Sequence, residues 1–165
     1  TRGRLWYHMT QDTRRVAGWM RELAQNGSYT VDAETLAKLR ENFACGCADD
    51  ETVAEEIASQ YAKNCYLCDT HTAVAFHVAR AWKKASGSTA PMVVLSTASP
   101  FKFPRSVLQA LGEAAPDNDF EAITVLENKT GRKAPESISA LRSKKERFDK
   151  VISTAQIKDA ALGKL

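Results

Sequence analysis

Residues Met92–Pro104 read Met-Val-Val-Leu-Ser-Thr-Ala-Ser-Pro-Phe-Lys-Phe-Pro, and this stretch decides the fold that the sequence predicts. It opens with an unbroken apolar run, which is typical of a parallel strand buried on both faces. We therefore predict a buried parallel strand over 92–96. Ser99 is a suitable N-cap, Pro100 is a favoured first helical residue, and Gly112 predicts the end of the helix that follows.

Ser96 and Thr97 stand at the carboxyl end of the predicted strand. Ligands of open α/β sheets bind at the carboxyl ends of strands, so these two hydroxyls are candidates for a binding site. A second interpretation is that they only cap the following helix, because Ser and Thr hydroxyls often bond to nearby backbone N–H groups. The residues by themselves favour the capping interpretation.

The rest of the chain predicts helices around this single strand. We expect an α/β fold that is mostly helical, with about seven helices, although a parallel strand needs partners that this chain scarcely supplies. Thr52 and Glu55 have the spacing of a capping box. The predicted helices are Asp12–Asn26, one from Asp32, one from Asp49–Thr52, one from Asp69 to Ala85, one from Pro100 to Gly112, Asp119–Asn128, Pro135–Leu141 and one from Ser153. Phe43–Ala48 either pairs as a strand or turns, and Phe148–Ile152 is a further candidate strand.

Length and charge exclude several classes of function. A chain of 165 residues is long enough for one domain with a sizeable core. The net charge of +3 is too small and too evenly spread to predict nucleic-acid binding. The basic cluster of Lys144, Lys145 and Arg147, which Glu146 interrupts, is more typical of a solvated face. No apolar run reaches membrane-spanning length and no signal-peptide pattern is present, so we expect a cytoplasmic protein with no membrane partner.

The four cysteines, Cys45, Cys47, Cys65 and Cys68, allow two interpretations. Cys-x-Cys, seventeen residues and Cys-x-x-Cys come near the spacing of a four-thiolate zinc site, and a zinc-stabilised helical interaction module is an alternative function. The first pair is one residue short of the usual spacing, and a predicted helix separates the pairs. Because Cys is among the most buried residue types, we expect free buried thiols and no metal site.

The histidines and one acidic residue are the other candidates for chemistry. His8, His71 and His77 are too scattered to predict a metal cluster, and we expect His77 to be partly buried with its hydrogen bonds satisfied. Asp69, His71 and Thr72 gather polar groups at the start of a predicted helix. They form either a site or a simple N-cap by Asp69, and the residues alone favour the cap.

Three segments of the chain together resemble the threonine synthase family. Tyr66–Ala75 (Tyr-Leu-Cys-Asp-Thr-His-Thr-Ala-Val-Ala) is similar to that family's Tyr-Leu-x-Asp-Pro-His-Thr-Ala-Val-Ala, and Val94–Pro104 looks like its Ser-Thr-Ala-(His/Ser)-Pro-x-Lys-Phe run. Arg4–Tyr7 is similar to the Glu-Arg-Leu-Leu-Tyr piece that opens the family's C-terminal region. The likeness extends to Gly112 and more loosely through Phe148–Lys150 to the end. The paired motifs at the expected separation make the match specific.

The chain also departs from the family pattern. Thr70 replaces the usual proline, and Thr1–Gly3 does not match the residues that normally lead into Arg-Leu. The family's Schiff-base lysine and its Gly-rich loop for the cofactor phosphate lie in the N-terminal two-thirds, and this chain has no counterpart of either. We therefore expect residues 1–165 to be a single C-terminal fragment, in which 1–112 belong to the enzyme fold and 113–165 form a helical extension.

The resemblance implies a pyridoxal 5'-phosphate enzyme of fold type II, which converts O-phospho-L-homoserine and water to L-threonine and phosphate. It implies that Thr97, or else Ser96, faces the pyridine nitrogen of the cofactor, and this replaces the capping interpretation. Asp69, His71 and Thr72 become candidates for the substrate side. The expected partner is the missing N-terminal part, without which we expect no activity. The other interpretation, besides the zinc module, is a helical binding domain without ligand chemistry.

Overall fold

The computed structural model describes residues 2–145, 147 and 151–163. Within these ranges the chain forms nine α-helices, three short 3-10 helices and no strand. The α-helices are α1 (Arg2–Thr10), α2 (Thr13–Asn26), α3 (Ala33–Asn42), α4 (Asp50–Asn64), α5 (Thr70–Ser86), α6 (Pro104–Ala110), α7 (Asp119–Thr130), α8 (Glu136–Ser139) and α9 (Ile157–Ala161). The 3-10 helices are Pro100–Lys102, Ala140–Ser143 and Thr154–Gln156.

The chain divides into two compact units. The first contains Thr1–Asp49 and Val74–Val94, and the second contains Asp50–Ala73 and Leu95–Leu165. Helix α5 begins in the second unit and continues in the first. The predicted division of the chain after Gly112 stays a prediction. No helix in the described ranges combines the length and apolarity needed to cross a bilayer.

An aromatic cluster forms the core of the first unit, where α1 packs against α2 and α3. Trp19 is 8% exposed, and its ring meets that of Trp6 edge to face, with 6.1 Å between the centroids. Tyr29 stacks on Trp19 at 6.3 Å and accepts a 2.7 Å hydrogen bond from the Trp6 indole N–H. Aromatic pairs of this kind contribute about 0.5–1.5 kcal/mol beyond the area that they bury.

Side-chain caps set the beginnings of α2 and α3 where the sequence predicts them. Asp12 accepts hydrogen bonds from the backbone N–H groups of Arg14 and Arg15 at 2.9 and 3.0 Å, and Asp32 accepts one from Thr35 at 2.9 Å. Gly27, with a φ of +71°, ends α2 in the left-handed conformation that glycine adopts without strain.

Other helices and helix boundaries differ from those that the sequence predicts. Residues Arg2–Thr10 form the helix α1, which is not among the helices that the sequence predicts. Helix α4 begins at Asp50, so Thr52 lies inside its first turn and the predicted capping box with Glu55 is wrong. Phe43 is 51% exposed, and the segment from Phe43 to Ala48 is irregular, so it does not form the strand that was one of its two alternatives.

Three helices of the second unit share a buried apolar core. Helix α6 packs against both α4 and α7. Burying a Val, Leu or Ile side chain contributes about 1.5–3 kcal/mol, so each of these contacts stabilises the unit. The apolar side chains that are at most 1% exposed here are Ile57, Val107, Leu108, Ala122 and Leu126.

The predicted buried strand over 92–96 is wrong for this chain. Residues 92–96 belong to no helix or strand, and the side chains of Met92, Val93 and Leu95 are 43%, 86% and 73% exposed. A parallel strand is held by hydrogen bonds to neighbouring strands, and the described residues contain none. The apolar run therefore lies on the surface.

After α7 the chain forms a helical segment after Ser153, as predicted, but the described residues of the candidate strand are irregular. Gly131 ends α7 with a φ of +67°, and Ser153 precedes the last helical segment. Of the candidate strand Phe148–Ile152, residues 148–150 lie outside the described ranges, and Val151 and Ile152 are irregular. The basic cluster of Lys144, Lys145 and Arg147 is exposed, as expected of a solvated face, and Glu146 lies outside the described ranges.

Candidate functional site

Asp69 organises the N-terminus of α5 from a fully buried position. Its Oδ1 atom accepts hydrogen bonds from the backbone N–H groups of His71 at 2.9 Å and Thr72 at 3.2 Å. Its Oδ2 atom accepts a third bond from the hydroxyl of Thr72, which is also buried. The interpretation of Asp69 as an N-cap is confirmed, and the cap fixes the backbone from which His71 projects.

The ring of His71 joins the two segments that carry the sequence motifs. The imidazole is 65% exposed, and its centroid lies 5.1 Å from that of Phe103. On the other side, its Nδ1 atom lies 3.6 Å from Asp69 Oδ1 and 3.3 Å from the hydroxyl of Thr70. The Nζ atom of Lys102 lies 5.8 Å from the centroid of Phe103. Residues about thirty positions apart in sequence thus form one surface of the second unit.

A polar cavity of about 320 Å³ adjoins Phe103. Lys102 and Arg105 bring positive charge to its wall, although Arg105 is paired at 3.0 Å with Asp117. The remaining lining residues are Phe103, Pro104, Ser106, Gln109 and Asp119. The Lys102 ammonium group, with hydroxyl and amide neighbours, suits an anion, whereas the Asp119 carboxylate in the same wall opposes one. The sequence analysis gives Lys102 and Arg105 no role. The signal that could have found them is the presence of two basic residues close to Pro104, where a helix begins.

Ser96 and Thr97 do not cap the following helix. The hydroxyl of Ser99 takes that position and accepts a 3.3 Å hydrogen bond from the backbone N–H of Phe101. Ser96 and Thr97 are exposed, and no hydrogen bond to either hydroxyl is found within the described part of the chain. The capping interpretation is therefore wrong for these two residues, and both hydroxyls are accessible to a ligand.

The cysteines differ in burial. Cys68 is fully buried, and burial together with the nearby charge of Asp69 raises the pKa of its thiol to about 11. Cys45, Cys47 and Cys65 are exposed, so the expectation of buried thiols holds for Cys68 alone. The two pairs belong to different units, and among the described residues no three His, Cys, Asp or Glu side chains are grouped to hold a metal. The zinc alternative gains no support.

His77 differs from its expected state. It lies on α5 and is partly buried, as predicted, but its Nδ1 atom is buried without a hydrogen-bond partner among the described residues. The expectation of a satisfied histidine is wrong. His8, at the end of α1, belongs to the first unit, whereas His71 belongs to the second.

Comparison with known proteins gives the class of the chain. The family profile "Threonine synthase, C-terminal" matches residues 72–160, more than half of the chain. The threonine synthase of Pseudomonas aeruginosa is 33% identical over 100 residues, which are 60% of this chain and 21% of that protein. That of Corynebacterium glutamicum is 38% identical over 95 residues, 56% of this chain and 19% of that protein.

A solved structure agrees with these relatives. The structure of PLP-bound threonine synthase from Brucella melitensis matches with a TM-score of 0.61 and 35% identity, over 79% of this chain and 26% of that one. The chain thus corresponds to the C-terminal region of the members of an enzyme family. It belongs to the threonine synthase family, and it spans about a fifth of the length of the curated relatives that it matches.

Proposed function

We propose that this chain is the C-terminal part of a threonine synthase, which converts O-phospho-L-homoserine and water to L-threonine and phosphate. The observation that carries the proposal is the contact between His71 and Phe103, since it brings together the two motifs. The family profile begins at residue 72, directly after His71, and includes Phe103. Pyridoxal 5'-phosphate, when bound, supplies an electron sink for the carbanion chemistry. The remaining polypeptide supplies the lysine that holds this cofactor.

Thr97 is proposed to face the pyridine nitrogen of the cofactor, with Ser96 as the second candidate. The exposed hydroxyls of both residues support this role, because Ser99 already caps the helix and leaves them accessible. A hydroxyl donates to or accepts from a ring nitrogen, and being neutral it does not fix a positive charge there. That property suits elimination and replacement reactions.

The substrate side is proposed to lie at the start of α5. Asp69 and Thr72 are buried and bonded to each other, so their role is to hold the backbone in position. His71 is exposed and free to contact the substrate. Lys102 lies beside the same aromatic ring and attracts a phosphorylated substrate by its positive charge.

An apolar surface in the first unit is proposed to contact the rest of the enzyme. A cavity of about 480 Å³ has Phe43, Val78, Trp82 and Met92 among its lining residues, and Val93, the residue after Met92, is exposed. Contiguous exposed apolar patches of this kind mark interaction sites. We commit to the N-terminal region of the enzyme as the occupant, because the matched relatives are about three times as long as this chain.

The proposal predicts that the 165-residue chain alone has no threonine synthase activity. With the isolated chain and added pyridoxal phosphate, phosphate release from O-phospho-L-homoserine should be no faster than in buffer without protein. It should appear when the N-terminal region of a threonine synthase precedes this chain in one polypeptide. Turnover by the isolated chain, or borohydride trapping of the cofactor on one specific lysine of it, would overturn the division of roles.

A further inference from the structure

The tripeptide Cys45-Gly46-Cys47 lies between α3 and α4 and is unused by the proposed reaction. Both thiols are exposed and free. The three residues lie outside any helix, and none of them has a positive φ. Two accessible thiols therefore flank a single glycine in a non-helical segment of the first unit.

Gly46 fixes which side of this segment faces the protein. A Cβ atom added to Gly46 would lie 3.0 and 3.1 Å from the two γ-carbons of Val78 on α5. The middle position therefore faces the helix, whereas the side chains of Cys45 and Cys47 are in solvent. The Cα atoms of residues i and i+2 lie at most about 7 Å apart in any conformation, which is close to the range that a disulfide spans.

The other cysteine pair offers a built-in contrast. Cys65 is exposed, but Cys68 is fully buried. Burial raises the pKa of the Cys68 thiol to about 11, and the nearby charge of Asp69 acts in the same direction. The thiolate is the form that attacks disulfides, so Cys68 stays unreactive while the protein is folded. Cys65 thus lacks an accessible neighbour with which to close a ring.

We propose that Cys45 and Cys47 form a dithiol modification site that small disulfides, such as oxidised glutathione, convert to an intrachain disulfide across Gly46. In the first step one thiolate attacks a glutathione sulfur, forms a mixed disulfide and releases one glutathione thiolate. The second cysteine then loses its proton and attacks its neighbour's sulfur, which releases the second glutathione. The two cysteines are oxidised, and one oxidised glutathione is reduced to two thiols.

Closure of the disulfide ring is faster than reaction of the second thiol with another oxidised glutathione. The neighbouring thiol is held two residues away, so its effective concentration is about millimolar or above. Glycine in the middle position allows the backbone to adjust as the ring closes, because it has no Cβ to restrict its conformation. Ring closure at this site therefore needs no rearrangement of a helix.

Tryptic cleavage makes the test direct, because it separates the two cysteine pairs. Cleavage after Arg40, Lys63 and Arg80 gives peptide 41–63, which contains Cys45 and Cys47, and peptide 64–80, which contains Cys65 and Cys68. The folded 165-residue chain is incubated with oxidised glutathione, quenched with acid and analysed by mass spectrometry. Peptide 41–63 should lose two hydrogen atoms and carry no glutathione, whereas peptide 64–80 should carry at most one glutathione.

Single serine variants trap the intermediate. In Cys45→Ser and Cys47→Ser the reaction should stop at one glutathione on peptide 41–63, because no second thiol is available. Cys65→Ser, the matched exposed control, should leave the oxidation of peptide 41–63 unchanged. In urea peptide 64–80 should also form an internal disulfide, since unfolding exposes Cys68. Two glutathiones on peptide 41–63 of the folded chain, or equal oxidation of both peptides, would overturn the proposal.

Discussion

Thr97 has an accessible hydroxyl and a neighbour, Ser99, that has already taken the helix cap. In a polypeptide that joins the N-terminal region of a threonine synthase to this chain, Thr97→Val keeps the shape of the side chain and removes its hydrogen bond. An unpaired partner in a partly desolvated site costs about 1–3 kcal/mol. We expect the rate of phosphate release to fall by roughly ten- to a hundredfold.

Three further variants separate the role of Thr97 from its surroundings. Thr97→Ser should be tolerated, because it keeps both the donor and the acceptor. Thr97→Asp should impair turnover, because a fixed carboxylate favours the protonated ring nitrogen. Ser96→Ala should have little effect. Wild-type kinetics and cofactor spectra for Thr97→Val would refute the assignment, and a collapse in Ser96→Ala alone would transfer the role to Ser96.

Asp69 is a buried cap, so its removal leaves several donors without a partner. Asp69→Ala deprives two backbone N–H groups and the hydroxyl of Thr72 of their acceptor. We expect the free energy of unfolding to fall by about 1–3 kcal/mol, as measured in urea. The matched change at the exposed cap Asp12, Asp12→Ala, should cost less, because water replaces the lost bonds there. An equal loss in both variants would show that burial adds nothing to the cap.

The sequence contains only part of what makes the site. The cap by Asp69 is predictable, because an acidic residue before a periodic apolar run is a local signal. The contact of His71 with Phe103 is not, since it joins residues about thirty positions apart and depends on the packing of the second unit. The free hydroxyl of Thr97 became recognisable only once Ser99 was seen to cap the helix.

The caps of α2 and α3 give the helices a dependence on pH. The backbone N–H of Arg15 lowers the pKa of Asp12 below its ordinary value of 3.8, and that of Thr35 does the same for Asp32. A depressed pKa in the folded state stabilises the fold above pH 3.8, and this stability is lost as the pH falls through the folded-state pKa. We expect acid to destabilise the chain in this window. Asp12→Asn with Asp32→Asn should reduce the slope of unfolding free energy against pH in this window, and an unchanged slope would show that the two caps do not cause the pH dependence.

Helices and strands differ in how far a single sequence determines them. Helices α2, α5 and α7 have capping residues and an apolar stripe within the segment, and the sequence predicts them close to their observed bounds. For α3 the sequence predicts only the start, at Asp32. The run at Met92–Leu95 has the composition of a buried strand, yet its hydrogen-bond partners would have to come from other strands. The composition of the run therefore indicates that it could pair as a strand, but the described residues contain no strand with which it could pair.

The exposed apolar run has a measurable consequence for the complete enzyme. Val93 is 86% exposed in this chain, so Val93→Lys should leave its stability in urea unchanged. In the longer polypeptide the same change should lower the free energy of unfolding by at least about 1.5 kcal/mol, because the N-terminal region would cover the side chain. The isolated chain serves as the control. Equal effects in both polypeptides would show that Val93 is not part of the contact.

The tryptophans of the first unit allow the unfolding of that unit to be followed by fluorescence. The chain has three tryptophans, Trp6, Trp19 and Trp82, and all of them belong to the first unit. Indole emission therefore follows the melting of that unit alone, whereas far-ultraviolet ellipticity follows the helices of both. Superimposable melting curves from the two signals would mean that the units unfold as one cooperative block, and separated curves would give each unit its own transition temperature.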